Sequence, residues 1–217
     1  MNDIYKILLA ATTGFLLSPI TELLKARISS IQQKSKLIAK LKAFDNILCR
    51  AIPTITTTII NREKFIESPE KNLSTIFITP NFNFPKIESN IDGAYHALSS
   101  SQRITLLNIE SQATHIEKLL EKLRGIDEEC KATIYQKTNI KKEITKEPEI
   151  REIEKEHYIR AISCEKAILY TSACMLATVR RAIKSDAAQP KDIDTIKQVS
   201  DELKININLD WWQQFRS

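Results

Sequence analysis

The sequence predicts an all-α protein in which an N-terminal transmembrane helix continues into a long stalk helix, followed by a cytosolic helical bundle. Glycine is scarce, at 3 of 217 residues, so tight turns that need its positive φ should be rare. Apolar residues recur at spacings of three and four, which is typical of amphipathic helices. The predicted divisions are a transmembrane anchor (1–21), a basic stalk helix (22–52), a kinked segment with a proline-containing loop (53–86), a helical bundle (87–204) and an aromatic C-terminal tail (205–217).

The anchor is predicted from one uncharged run, residues 7–21, "ILLAATTGFLLSPIT". Counting from Ile4 to Thr21 gives 18 residues, if Lys6 extends toward the headgroups, and a helical span needs at least about 17. The large apolar side chains favour insertion by on the order of 3–4 kcal/mol before the polar residues subtract from it. A cleaved export signal fits less well, because the positive charge follows the run and no A-x-A-like site is present. A buried or interfacial helix of a soluble protein is the other alternative.

Positive charge is concentrated directly after the anchor. Residues 22–50 hold seven bases and two acids, so this segment carries the whole formal net charge of +5. The positive-inside rule then places the N-terminus outside the cell (inner) membrane and the C-terminal domain in the cytoplasm. Lys25 and Arg27 lie nearest to the membrane surface and are predicted to contact anionic lipid. The rest of the chain is neutral, so no nucleic-acid partner is expected.

A second feature of the anchor predicts self-association. Ala10, Gly14 and Ser18 follow one another at four-residue spacing. Such a small-xxx-small face lets two membrane helices approach closely. A homo-oligomer is therefore expected, although small residues also fall into this spacing by chance.

The stalk helix is predicted to end near Pro53, and the residues that follow either continue as a helix beyond a kink at that proline or are extended. Residues 67–86 contain three prolines and are predicted to form a loop, with a short strand at 74–79 as an option. Phenylalanines are expected to pin this loop to the helices, with a recognition loop as the alternative. The apolar positions of the stalk are Leu24, Ile28, Ile31, Ile38, Leu41, Phe44 and Leu48. The loop phenylalanines are Phe77, Phe82 and Phe84.

In the bundle, Ser99–Gln102 predicts a helix N-cap, and Gly125 predicts a helix C-cap. Between them runs a heptad-type apolar seam. A further helix is expected over 127–146, broken by Pro148, and then helices over 149–184 and from Pro190 onward. The seam residues are Leu106, Ile109, Ala113, Ile116, Leu120 and Leu123.

Residues with catalytic or ligating potential are few. His157 and Cys164 share a helix face but lie about 10.5 Å apart along the axis, too far for proton transfer. Glu154 and His157 match half of a di-iron E-x-x-H motif, and no second half is present. Glycine clusters that cradle phosphate are also missing from the sequence. No metal site, cofactor or catalytic residue is therefore predicted, a non-enzymatic protein is expected, and the four widely spaced cysteines are expected to be reduced thiols.

The C-terminal tail is the stronger candidate for a binding site. Trp211, Trp212 and Phe215 lie close together, and tryptophan is enriched in interface hot spots. These residues are predicted to bind a protein partner. Packing back onto the bundle and contact with the membrane interface are the alternatives.

Together these features predict a single-pass membrane protein that contacts lipid, binds a protein partner in the cytoplasm and self-associates. At the level of organisation alone, the layout resembles small bacterial membrane-tethered helical proteins, some of which are effectors of defence or toxin systems. A membrane-acting effector is accordingly one hypothesis. The others are a membrane-tethered scaffold or adaptor without toxicity, and a soluble all-α dimer with a buried N-terminal helix.

Overall fold

A computed structural model describes residues 2–68, 80, 82–141, 147–184 and 192–215; of these, the side chains of 2–18, 138–141, 147, 192 and 213–215 lie outside the description. The described chain is helical, which confirms the predicted all-α bundle. Five α-helices are present in these ranges: α1 (Asn2–Glu67), α2 (Glu88–Ala94), α3 (Ser100–Lys141), α4 (Glu147–Lys184) and α5 (Asp192–Leu203). Two 3₁₀ helices, Tyr95–Ala97 and Leu209–Phe215, complete them.

Helix α1 runs through Pro19 and Pro53 without a break, so the predicted end near Pro53 is wrong. A proline removes one helical hydrogen bond and crowds the carbonyl four residues earlier. Beside Pro53 this loss is outweighed by packing, because Ile52 and Ile55 are 0% and 2% exposed. The threonines that follow also suit a helix, since each donates its hydroxyl to the carbonyl four residues back: Thr54, Thr56, Thr57 and Thr58.

The core lies between the second half of α1, α3 and α4, with α2 and α5 covering its sides. The predicted stalk stripe is correct only in part. Leu41, Phe44 and Leu48 are buried, but Ile38 is only half-buried, and Leu37 takes the inward position instead. The first three positions of the predicted stripe, Leu24, Ile28 and Ile31, are exposed.

Helix α3 confirms the predicted seam and corrects its end. All six seam residues, Leu106, Ile109, Ala113, Ile116, Leu120 and Leu123, are buried, and α4 of the same chain packs against this helix.

Gly125 does not cap α3, because the helix continues to Lys141. An interior glycine destabilises a helix by about 1 kcal/mol, but Leu123 and Ile126 on either side are buried. Pro148 likewise lies in the first turn of α4, where its missing N–H breaks no helical bond. Residues 142–146, where the break was expected, lie outside the described residues.

Side-chain contacts support two further predictions. Ser99 and Gln102 form a reciprocal capping box, with the Gln102 amide donating to Ser99 Oγ and the Ser99 amide donating to Gln102 Oε1, both at 3.1 Å. Phe82 is buried, and Phe84 stacks on Phe44 with ring centroids 4.9 Å apart. The pinning of the loop is therefore confirmed for these two phenylalanines. Phe77, Pro190 and the possible strand at 74–79 lie outside the described residues.

Candidate functional site

The most unusual surface of the described chain is the N-terminal part of α1. Every residue from 19 to 29 is exposed, and among the described side chains Ser30 is the first buried one. This stretch includes large apolar side chains, which single-chain proteins usually cover when they are adjacent. We call residues 19–31 the arm. Its exposed apolar residues are Ile20 (53%), Leu23 (71%), Leu24 (55%), Ile28 (55%) and Ile31 (56%).

The arm has an apolar face of its own. At about 100° per residue, Ile20, Leu24, Ile28 and Ile31 lie within roughly 40° of one line along the helix; we call these four residues the arm stripe. The face of α1 that packs into the core, with Leu37, Leu41, Phe44 and Leu48, lies about a third of a turn away. The arm stripe is therefore directed away from the bundle's packing face.

The predicted membrane residues lie on or beyond the arm. Lys25 and Arg27 are exposed on it, in a position to contact solvent or headgroups. Ala10, Gly14 and Ser18 belong to α1, but their side chains lie outside the described residues. Within the part of the chain that was described, no helix has the length and apolar character needed to cross a bilayer.

Two bases of the predicted stalk serve the fold. The Lys34 ammonium donates to the Ala97 carbonyl at 3.0 Å, at the C-terminal end of a 3₁₀ helix, where a cation is favoured by the exposed carbonyls. The Lys40 ammonium donates to the Lys86 carbonyl. These contacts hold the segment around α2 against α1. The sequence did not reveal them, because both acceptors are backbone atoms.

A buried ion pair connects α1 to α4. Arg62 and Glu165 are 2% and 3% exposed, and Arg62 Nε lies 2.9 Å from Glu165 Oε1. The guanidinium also lies 3.7 Å from Asp127 of α3 and 4.5 Å from the centre of the Tyr158 ring. Burial raises the pKa of Glu165 to about 7, although Arg62 acts in the opposite direction. This network fixes the three long helices in one arrangement.

A second network lies at the other side of the core. Arg180 Nε is 2.7 Å from Asp45, and the same guanidinium pairs with Glu202. It also donates to Cys49 Sγ at 3.2 Å. Burial, and then the charge of Asp45, raises the pKa of the Cys49 thiol, which keeps it protonated. Both networks join residues more than 100 positions apart for at least one pair, so no local motif could have found them.

His157 and Cys164 are both buried and have separate partners. His157 Nδ1 lies 2.8 Å from the Ile153 carbonyl, and Cys164 Sγ donates to the Leu119 carbonyl at 3.2 Å. Burial raises the pKa of Cys164, so the thiol is a poor nucleophile. Among the described residues, no cluster of three or more His, Cys, Asp or Glu side chains is arranged to hold a metal ion. Glu154 and His157 therefore do not belong to such a cluster.

A groove of about 210 Å³ opens beside α3. Its floor is the stacked pair Phe44 and Phe84, and Glu88, Glu110 and Glu117 lie around it. Burial, followed by the charges of Glu88 and Asp92, raises the pKa of Glu110. Three carboxylates and one base, Lys86, therefore line the groove.

The aromatic tail packs on α4. Trp212 is 3% exposed and lies 5.8 Å from the Tyr170 ring. The Lys166 ammonium lies 5.0 Å from the centre of the partly buried Trp211 ring. In this arrangement Trp212 is too buried to contact a partner. Both tryptophans pack on the bundle, as the alternative interpretation of the tail predicts. The side chain of Phe215 is outside the described residues.

Comparisons with family models, with curated proteins and with solved structures found no match to this chain. The functional argument therefore depends on the geometry of the arm and the bundle.

Proposed function

We propose that this chain is a single-pass, membrane-tethered binding protein. Residues 4–21 insert in the inner membrane with the N-terminus outside, and α1 carries the helical bundle on a stalk in the cytoplasm. The observation that supports this is the continuity of α1. A single helix runs from Asn2 to Glu67, with the uncharged run at one end, the core at the other and the exposed arm between them.

The dimensions of the helix fit this arrangement. At 1.5 Å per residue, the 18 residues from Ile4 to Thr21 are about 27 Å long, close to the roughly 30 Å of a hydrocarbon core. Lys25 and Arg27 follow within two turns and are exposed, as expected for bases beside a cytoplasmic headgroup layer. The arm then separates the bundle from the membrane surface.

The bundle is the part that binds a protein partner. Self-association through Ala10, Gly14 and Ser18 would bring several bundles together, which suits a membrane-acting effector of a bacterial defence or toxin system. A scaffold that only recruits a partner uses the same architecture. Partner binding by Trp211, Trp212 and Phe215 requires the last turn to detach from α4, because Trp212 is buried there.

Alkaline carbonate extraction of membranes from cells that express the full chain tests the proposal. We expect the chain to stay in the membrane pellet. Leu16→Arg places a charge near the centre of the span, at about 2.5–3.5 kcal/mol, and should move much of the chain to the supernatant. The matched control is Leu107→Arg, which changes an exposed leucine of α3 and should leave the chain in the pellet. Full extraction of the unmodified, folded chain would contradict the proposal.

One observation favours the soluble dimer as a second candidate. The arm stripe is exposed to solvent in the single chain, and a second copy of the chain could bury it in the absence of a membrane. Recovery of a detergent-free dimer from the soluble extract would favour this candidate.

A further inference from the structure

We infer that the arm stripe is the seam of a parallel pair of stalks, so that the arm of a second copy of this chain packs against Ile20, Leu24, Ile28 and Ile31. The inference rests on the proposed function, because the membrane tether sets the parallel orientation. It names the surface at which two tethered copies meet.

The first argument is the position of the stripe. Its four side chains are 53–56% exposed on a helix that is solvent-exposed on all sides from residue 19 to 29. The stripe lies about a third of a turn from the packing face of α1. A second helix can therefore lie along it without displacing α2, α3 or α4.

The second argument is the spacing. Leu24 and Ile31 are seven residues apart, and Ile20 precedes Leu24 by four, which gives the a and d positions of a heptad seam. The seven-residue spacing of Ile31 and Leu24 continues toward the N-terminus through Leu17 to Ala10. Ala10 is the first residue of the predicted self-association face of the anchor. The six-residue seam of α3 has this spacing as well, and in the folded chain it packs against another helix.

The third argument is the placement of charge. Glu22 and Lys25 lie off the stripe, and in this register the flanking positions, Thr21, Leu23 and the stripe's own Ile28, are uncharged. Arg27 takes the d position between Leu24 and Ile31, and its long aliphatic stem can cover the seam while the guanidinium turns outward into water. The flanks of two parallel arms therefore carry no like charges, and Arg27 is the position of the seam at which the two guanidinium groups must point away from each other.

The rival occupant, the lipid surface, fits the dimensions poorly. On a helix that leaves the membrane at Thr21, Ile31 lies about 15 Å farther along the axis. The headgroup layer on one side is only about 5–7 Å thick. The outer half of the stripe therefore lies beyond the lipid, whereas a neighbouring stalk runs beside its whole length. Tethering also raises the effective concentration of the second copy.

Disulfide cross-linking in native membranes tests the seam. Leu24→Cys and Ile31→Cys place thiols on the stripe, and Glu22→Cys and Ser29→Cys place them on the opposite face of the same exposed turns. All four positions are exposed, so the bundle keeps its packing. The unmodified chain gives the blank, because its four native cysteines are buried or half-buried.

Mild oxidation should convert the two stripe variants to covalent dimers several-fold more than the two opposite-face variants, because a disulfide needs Cα atoms about 4.4–6.8 Å apart. Equal cross-linking at all four positions would indicate random collision and overturn the inference. A lack of cross-linking at the stripe positions would overturn the inference too. Labelling of these thiols by a water-soluble maleimide would then show that the stripe faces water, and a lack of labelling would show that lipid covers it. Carbonate extraction of the same samples shows separately whether the membrane tether has failed, and stripe-specific dimers in an extracted chain would still support the seam.

Discussion

The two halves of α1 belong to one helix and have similar apolar spacing, but their surroundings differ completely. In the half from residue 37 to 67, the inward side chains belong to the core and α4 packs along the helix, and Leu48 is 0% exposed. In the arm, Leu24 is 55% exposed with no described segment over it. Apolar periodicity identifies a helix face that is stabilised by burial, but it does not show whether the same chain or another molecule buries it. In this protein one stripe belongs to the core, and the other is exposed in the single chain.

The largest effect should follow from breaking the buried ion pair of the embedded half. Arg62→Met removes the cation that faces Glu165, which is 3% exposed, and leaves a buried carboxylate. At pH 8 we expect a loss of about 3–5 kcal/mol in the free energy of unfolding. Urea denaturation of the full chain in mild detergent, followed by tryptophan fluorescence, measures it.

The matched control for that variant is Lys25→Met, which removes an exposed base of the arm and should change stability little. The double variant Arg62→Met/Glu165→Leu replaces both charges by apolar groups and should recover much of the loss. If Arg62→Met is no more harmful than Lys25→Met, the pair does not hold the helices together.

A direct comparison of the two halves uses one substitution at two places in the same helix. Leu48→Ala leaves a cavity in the core and should lower the free energy of unfolding by about 2–5 kcal/mol. Leu24→Ala removes an exposed side chain and should change the stability of the bundle by less than about 0.5 kcal/mol. Equal losses in dilute, monomeric protein would mean that another part of the chain covers the arm.

Glu165 should make stability depend on pH. Its pKa is about 7 in the folded chain, above the ordinary 4.5 of a glutamate in an unfolded chain, so the folded state binds the proton more tightly. The stability that the protonated form contributes is complete below about pH 4.5 and is lost as the pH rises through 7. The total change is at most about 3 kcal/mol.

Glu165→Gln cannot titrate, so it isolates this contribution from other groups. We expect its free energy of unfolding, relative to the unmodified chain, to increase between pH 5 and pH 8. Unfolding curves at these two pH values measure the difference. A constant difference across the range would mean that Glu165 titrates normally in the folded state.

The sequence predicted features that depend on local spacing or local hydrogen bonds. The α3 seam and the Ser99–Gln102 cap belong to this class, because each is set by residues within a few turns. Gly125 and Pro53 were misread, since buried residues on both sides of each keep the helix intact. The inward face of α1 was assigned to Ile38 in place of Leu37, because both fit the helical period and only the position of the elements that pack on α1 decides between them.

Long-range contacts were beyond local patterns. Arg62 and Glu165 lie 103 positions apart, and each resembles an ordinary surface charge in the sequence. The membrane residues Ala10, Gly14 and Ser18 remain predictions. For the tail, the sequence left open whether the tryptophans bind a partner or the bundle, because a cluster of indoles is suited to either.

The smallest effect should mark the point where α1 ceases to be held by the bundle. Lys34 lies just beyond the arm and donates to the Ala97 carbonyl, whereas Lys36 is exposed and has no such contact. Lys34→Met should lower the free energy of unfolding by about 0.5–1.5 kcal/mol, the usual net value of one hydrogen bond. Lys36→Met removes the same charge and should have almost no effect. Hydrogen exchange of residues 95–97 should also quicken only in Lys34→Met, because that lysine fixes the 3₁₀ helix to α1. If the two variants have the same stability and the same hydrogen exchange at residues 95–97, the boundary between the exposed and the packed half of α1 lies farther into the bundle than Lys34.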